Sequence, residues 1–257
     1  MTITFLGTGT SQGVPVIACE CEVCTSADRK DNRLRTSVLI ETVDKNVVID
    51  TGPDFRYQML RQKVKKLDAI VFTHEHKDHI AGLDDVRAFN YRQHKDMDVY
   101  ATIEVQHAII REFSYIFSII KYPGIPRVNL IEIDNKPFNI GTTTWIPIEV
   151  LHYKLPVTGF KVGDFTYITD AKTISADQLD KIRGTKILVL NALQLSPHIS
   201  HLTLEEAIAI ALEIKAEQTY FTHISHLLGK HADVSAILPP GIMLAYDGLQ
   251  IEINSRL

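Results

Sequence analysis

The sequence predicts a mixed α/β chain whose sheets are covered by helices. Short β-branched runs recur from end to end, helical patterns lie between them, and some neighbouring runs are spaced as hairpins. The runs at 37–43 (SVLIETV), 46–50 (NVVID), 69–73 (AIVFT), 165–169 (FTYIT), 186–190 (KILVL), 219–222 (TYFT) and 250–254 (QIEIN) read as strands. The clearest helix opens at Thr203, where Thr-Leu-Glu-Glu is a capping box: the Thr203 hydroxyl accepts from the backbone and Glu206 reaches back. Leu204, Ile208, Ala211 and Leu212 follow as one apolar stripe at helical spacing. Weaker helical patterns cover 54–65, 83–93 and 175–183. No Pro/Gly/Ser-rich linker, block of like charge or fixed-period repeat divides the chain, so 1–257 reads as one domain.

Composition excludes several classes of function. The 257 residues are 45% hydrophobic and 23% charged, an ordinary globular balance that rules out disorder. With 27 Lys+Arg against 31 Asp+Glu the net charge is −4, which argues against holding DNA or RNA by bulk charge. No stretch approaches the roughly 18 uninterrupted apolar residues of a membrane helix. The opening MTITFLGTGT has neither the basic leader nor the apolar core of a signal peptide. Three cysteines cannot all pair within one chain, so a disulfide framework is a poor reading and a reducing, cytoplasmic setting is expected.

The chemistry concentrates in histidine, aspartate and cysteine. Directly after the apolar run 69–72 comes Thr73-His74-Glu75-His76-Lys77-Asp78-His79, a dense set of metal-ligand types where the chain leaves a buried strand. His74 and His76, two apart, point the same way if strand geometry persists, and Asp78 and His79 follow past a bend. Downstream, His152 follows the apolar alternation of 146–151, Asp170 closes the 165–169 run, and His223 closes the 219–222 run. Two clustered divalent ions need about six or more N/O ligands and a carboxylate that can bridge both. On this reading His74, His76 and His152 hold one ion, Asp78, His79 and His223 hold the other, and Asp170 bridges.

HxHxDH with a later His, a strand-ending Asp and a final His resembles the metallo-β-lactamase-fold hydrolases. The resemblance implies an α+β architecture, a four-layer αββα sandwich with metals at one edge. His76 stands where redox-active di-iron members carry Glu, and Asp170 stands where zinc lactamases commonly use Cys. An Asp bridge fits the phosphodiesterase and nuclease members better.

The cysteines all fall in Cys19-Glu20-Cys21-Glu22-Val23-Cys24, a CxCxxC spacing that suits thiolates converging on one soft-ligand ion. A tetrahedral zinc wants a fourth ligand, and His226, three residues after His223, is the candidate; the site would be closed and structural. Together with the loop 7–15 (GTGTSQGVP), the segment 50–56 (DTGPDFR) and the segment 78–85 (DHIAGLDD), this cluster is similar to the PhnP-type phosphodiesterases. That resemblance implies a catalytic dinuclear site, manganese or zinc, beside a structural Cys3His zinc; proteins of that type hydrolyse cyclic phosphate esters, but the match does not carry over the substrate.

Between two divalent cations a bridging water loses its proton readily, and hydroxide attack on phosphorus then requires protonation of the leaving alkoxide. His201 is the candidate acid because it lies two residues before the N-cap and matches the histidine of an HxT-like motif in related phosphodiesterases; His198 is the reserve. Asp50 either orients a ligand histidine or simply starts a turn. Arg56 and Arg87 either contact phosphate or pair on the surface, and Lys63, Lys65 and Lys66 read as a solvated helix end. Phe113, Tyr115, Phe117 and Tyr122 read first as core packing, with covering the site or joining a homodimer as alternatives. His94, His107 and His231 receive no functional assignment. The expected activity is therefore hydrolysis of a small, cyclic phosphodiester by a metal-bridged hydroxide, with Asp78, Asp170 and His201 in catalytic roles and no stable nucleic-acid partner. The alternatives are a transfer-RNA 3′-processing nuclease and a non-hydrolytic protein related to coenzyme PQQ biosynthesis.

Overall fold

The computed structural model describes residues 1–120 and 122–253; Asn254, the last residue of the 250–254 run, lies outside them. Strands β1 (Thr2–Gly7), β2 (Ser37–Glu41), β3 (Asn46–Ile49), β4 (Ala69–Val71), β5 (Met97–Ala101) and β6 (Val128–Glu132) belong to one sheet. Strands β7 (Phe138–Ile140), β8 (Thr143–His152), β9 (Leu155–Val162), β10 (Phe165–Tyr167), β11 (Ile187–Asn191), β12 (Gln218–Thr222) and β13 (Ile242–Leu244) form the other, and β14 (Gln250–Glu252) returns to the first beside β1. Among the described residues each sheet has seven strands, in the orders β14-β1-β2-β3-β4-β5-β6 and β13-β12-β11-β10-β9-β8-β7. Each sheet is antiparallel at one end and parallel at the other: β3 through β6 run parallel, as do β10 through β13.

The parallel strands read as continuous apolar runs because both of their faces are covered. In β11, Ile187 and Val189 enter the layer between the sheets while Leu188 and Leu190 face the helices. In β3, Val47 and Ile49 face inward and Val48 outward. Trp145, Phe160, Phe165 and Phe5 fill the inter-sheet layer. The helices α1 (Phe55–Arg61), α2 (Lys77–Ile80), α3 (Arg87–Gln93) and α4 (Ile103–Glu112) accompany the first sheet, and α5 (Ala176–Ile182), α6 (Leu204–Ile214) and α7 (His231–Ile237) the second. The layers are thus helix, sheet, sheet, helix, the α+β sandwich expected.

The structure corrects several details. In α6 the buried face is Leu204, Ala207, Ala211 and Ile214, with Ile208 partly buried; Leu212 is exposed, because the sheet beneath selects a face rotated from the stripe. The 54–65 pattern shortens to α1, since Lys63 takes a left-handed conformation. The 83–93 pattern splits into a 3-10 turn, Leu83–Val86, running into α3. The first predicted strand stops at Glu41 and leaves Val43 fully exposed. Phe113 is buried and Tyr115 and Phe117 pack on the core under α3 and α4, as the packing reading expects, but Tyr122 is exposed. No helix among the described residues is long and apolar enough to cross a membrane.

Candidate metal centre

Side chains gather where parallel strands end, the rim at which such sheets present their loops. Three non-glycine residues there leave their strands in the left-handed region: Asp50 after β3 (φ 63°), Asp170 after β10 (φ 56°) and His223 after β12 (φ 56°). Such a conformation costs about 1–3 kcal/mol and persists where the surroundings enforce it. It swings each side chain abruptly out of the sheet toward a common point.

Asp170 lies at that point, buried. Its Oδ2 is 3.3 Å from His79 Nε2 and 3.3 Å from His223 Nδ1, and its Oδ1 is 3.2 Å from His201 Nε2. Asp78 Oδ2 is 3.2 Å from the same His79 nitrogen. The His74 ring centroid is 4.2 Å from that of His79 and 4.6 Å from that of His76, and the His76 and His152 centroids are 5.1 Å apart. His76 stands on the exposed rim, whereas His74, His79 and His223 are buried. The structure therefore brings together all seven residues proposed from sequence, with His201 beside them.

Local geometry explains why these rings face inward. Asp50, fully buried, accepts from Thr73 N at 2.9 Å, from Thr73 Oγ1 at 2.8 Å and from His79 Nδ1 at 2.7 Å, leaving His79 Nε2 to face Asp78 and Asp170. His152 turns Nδ1 to the Ser200 and Asp170 carbonyls at 2.9 and 3.1 Å. Thr10 Oγ1 lies 3.1 Å from His223 Nε2, and Thr73 Oγ1 lies 3.0 Å from His74 Nδ1. The short α2 turn is held by Thr51 N donating to the His79 carbonyl at 2.7 Å. Only glycine fits next to it, since a Cβ on Gly52 would stand 2.1 Å from the Asp78 carbonyl oxygen.

Three buried nitrogens, His74 Nε2, His79 Nε2 and His223 Nδ1, have no hydrogen-bond partner among the described residues. An unsatisfied buried polar group costs about 1–3 kcal/mol, so three converging on two carboxylates are a donor set that fits cations. The protonation states of His74, His223 and His152 agree. Burial, helped by the charge of His79, holds His74 well below the usual imidazole range, and burial brings His223 down to about 4 against the pull of Asp170. Burial also lowers His152. These neutral rings offer lone pairs, the form a metal requires. Burial opposes the charged form of His79, but Asp78, Asp170 and Asp50 outweigh it and raise its pKa well above the usual range. Asp170 is held well below the carboxylate range because His223 and His79 overcome the burial that opposes its charge.

His201 and His198 both lie on the loop before α6. Their Nδ1 atoms are 3.2 Å apart, with Ser200 Oγ 3.1 Å from His201 Nδ1, so His201 faces Asp170 while His198 backs it from the solvent side. A cleft of about 660 Å3 runs from Thr73, His74 and Glu75 between residues of both sheets. Trp145 on β8 faces the inter-sheet core, so Pro147 and Glu149, on the same side of the strand, face the cleft. Glu75, Glu104, Glu132, Asp134 and Glu149 line it, and no Lys or Arg does among the described residues.

A second cluster stands apart. His226 Nδ1 lies 3.3 Å from Cys19 Sγ, 3.4 Å from Cys21 Sγ and 3.5 Å from Cys24 Sγ, the four-residue set expected from the cysteine spacing. The Cys24 amide donated to Cys21 Sγ, with help from His226, brings the Cys21 thiol down to about 6, whereas burial raises Cys24 to about 11. Arg87 pairs with Asp84 rather than reaching the centre, and Lys66 pairs with Asp68. The Thr10 and Thr73 hydroxyls, against His223 and His74, are contacts that the residue pattern does not single out. Thr73 is adjacent to the histidine string, but nothing local marks Thr10, whose partner is distant in sequence.

Two sheets with parallel edges meeting at a His/Asp rim define the metallo-β-lactamase fold, the scaffold of a metal-dependent hydrolase. A family model described as a beta-lactamase superfamily domain matches residues 45–224. A solved structure described as a new diphosphatase from the PhnP family is 41% identical, covers 98% of both chains and superposes with a TM-score of 0.93. The chain belongs to the beta-lactamase superfamily and within it is a PhnP-type metal-dependent hydrolase. It is also 39% identical over its whole length to a Porphyromonas gingivalis protein named octanoyltransferase, covering 52% of that protein. It is 25% identical over 63% of its length to a Staphylococcus epidermidis ribonuclease Z, covering 49% of that enzyme. The chain thus spans about half the length of the curated relatives it matches.

Proposed function

We propose that the chain is a phosphodiesterase that hydrolyses a small phosphodiester, a cyclic one first among them. The observation that carries this is Asp170, whose Oδ2 faces His79 and His223 and whose Oδ1 faces His201, inside a ring of unpartnered imidazole nitrogens. His74, His76 and His152 would hold one divalent ion, Asp78, His79 and His223 another, with Asp170 shared; Cys19, Cys21, Cys24 and His226 would hold a structural zinc. Bound manganese or zinc supplies phosphate charge neutralisation and an activated water. The chain's own residues do the rest. Asp50 and Thr10 orient His79 and His223, and His201 holds a proton for the leaving oxygen at Nε2, with Ser200 and His198 fixing its other nitrogen. The cleft takes the remainder of the substrate. Its unrelieved carboxylates oppose a polyanionic strand, which favours a small molecule over transfer RNA. Cysteines left free of disulfides suit a reducing cytoplasm.

A second reading, hydrolysis of a diphosphate, is favoured by the description of the 41%-identical relative as a diphosphatase. A panel of 2′,3′-cyclic nucleotides, cyclic ribose phosphates, linear diesters, diphosphates and transfer-RNA precursors, assayed with manganese- and zinc-loaded protein, separates these readings. Small cyclic diesters should be turned over fastest, and Asp170→Ala should abolish that turnover. Cleavage of diphosphates or RNA alone overturns the proposal.

A further inference from the structure

The Cys-His cluster and the Asp170 centre are joined twice. Along the chain, only Ile224 and Ser225 separate His223 of the centre from His226 of the cluster. Across space, the N-terminal loop that carries the cysteines also carries Thr10, which touches His223. The loop and the segment after β12 are stitched by backbone: Ile224 N donates to the Thr8 carbonyl at 2.9 Å and Thr10 N to the Ile224 carbonyl at 3.1 Å. Further along the same loop, Val16 N donates to Cys24 Sγ at 3.3 Å, and the sulfurs close on His226. One loop therefore grips one short segment at two histidines, each belonging to a different cluster.

This arrangement places a hydroxyl on one nitrogen of His223 and turns the other, Nδ1, to the centre. A neutral imidazole carries one proton, and the nitrogen without it is the one able to take a metal. The Thr10 oxygen, 3.1 Å from Nε2, can accept the proton there, and in that tautomer Nδ1, 3.3 Å from Asp170 Oδ2, carries the lone pair. Without the Thr10 hydroxyl, the better partner for the proton is Asp170 itself, and a protonated Nδ1 cannot ligate. Hydrogen-bond partners of ligating histidines commonly contribute 10–100-fold in metal affinity.

We propose that Thr10 is a positioning residue that fixes the tautomer of His223, and that the Cys3His cluster holds Thr10 in register, so the state of the cluster sets the affinity of the catalytic centre for one of its ions. This rests on the reading that Asp170 and His223 hold an ion, and the experiment separates the two. Mn2+ is titrated into protein whose cysteine cluster retains zinc, free Mn2+ being read by electron paramagnetic resonance and zinc by metal analysis. Thr10→Val should bind one Mn2+ about 10–100-fold more weakly, with one zinc per chain and the melting transition retained, and Thr10→Ser should restore affinity. Cys21→Ser should lose zinc and weaken the same Mn2+ site, and adding Thr10→Val to it should cost little more, since both act through one contact. Wild-type Mn2+ affinity in Thr10→Val overturns the positioning role. If Cys21→Ser folds poorly, Cys21→Asp takes its place, and zinc loss without any change in Mn2+ affinity overturns the coupling. Wild-type protein that binds no Mn2+ overturns the underlying reading along with this one.

Discussion

Replacing Asp50 by Asn tests how the first sheet presents His79. Asp50 is fully buried and accepts from the Thr73 amide, the Thr73 hydroxyl and His79 Nδ1 at 2.9, 2.8 and 2.7 Å. Asn has nearly the same shape but a single acceptor oxygen. If that oxygen keeps the Thr73 amide, the new NH2 occupies the place of Oδ2 and faces both the Thr73 hydroxyl and His79. The hydroxyl can turn to accept. His79 cannot donate to a donor, so Nδ1 is left without its proton and the remaining proton sits on Nε2, the nitrogen that faces Asp78 and Asp170. The cost combines a lost charge-assisted hydrogen bond, about 1.5–3 kcal/mol, with the wrong tautomer at a proposed ligand. That matches the 10–100-fold loss of metal affinity typical of such partners, about 1.4–2.8 kcal/mol. Calorimetric titration of Mn2+ should show one of two sites weakened by that factor and the other intact. Wild-type affinity at both sites in Asp50→Asn would show that the Asp50 contact does not set the tautomer of His79.

Three further outcomes are expected. Gly52→Ala places a Cβ 2.1 Å from the Asp78 carbonyl oxygen, so the α2 turn must move; stability should fall by about 1–3 kcal/mol and Mn2+ binding should weaken, and an unchanged melt with unchanged binding would contradict the close approach. His231 is lowered to about 4, first by burial and then by Arg33, whose guanidinium nitrogen lies 3.1 Å from its Nδ1. Its folded pKa is below the unfolded value near 6.5, so its contribution, at most about 3 kcal/mol, is present above pH 6.5 and lost as pH falls toward 4. His231→Gln should flatten the slope of urea stability over that window, and an identical slope would remove His231 as its source. Thr203→Ala removes the hydroxyl that accepts from the Glu206 amide at 3.2 Å in the capping box; a loss of about 1 kcal/mol is expected, read as a melting shift of about 2–4 °C.

What was legible in the sequence was what local pattern determines. The string from His74 to His79 announces itself because the ligand types are adjacent, and Asp170 and His223 because each follows a buried strand. The odd cysteine number leaves a tetrahedral set one member short, and His226 is the residue that the fold brings to the three sulfurs. What escaped depends on distant packing. Thr10 meets His223 across a separation of 213 residues, and nothing in GTGTSQG distinguishes a contact from a turn. Leu212 fits the helical period of α6, yet the sheet below chooses Ile214 instead. β8 was only partly visible because Pro147 and Glu149 break its inward apolar face where that face lines the cleft. The left-handed turns at Asp50, Asp170 and His223 are equally silent, since many aspartates and histidines end strands without them.

The division of the proposed ligands between the sheets has an energetic consequence. His74, His76, Asp78 and His79 follow β4 of the first sheet, whereas His152, Asp170 and His223 close strands of the second. Each proposed ion therefore draws ligands from both, and neither sheet alone completes a site. Metal binding is then linked to the docking of one sheet on the other, and each ion at 100 times its Kd adds about 2.7 kcal/mol to the docked state. The inter-sheet layer built on Trp145, Phe160 and Phe5 already supplies a large apolar contact without metal. Chelation should consequently lower the melting temperature of the chain as a whole while leaving its secondary structure at 25 °C unchanged. A chelated protein that loses strand signal at that temperature would mean that the ions, and not the apolar layer, hold the sheets together.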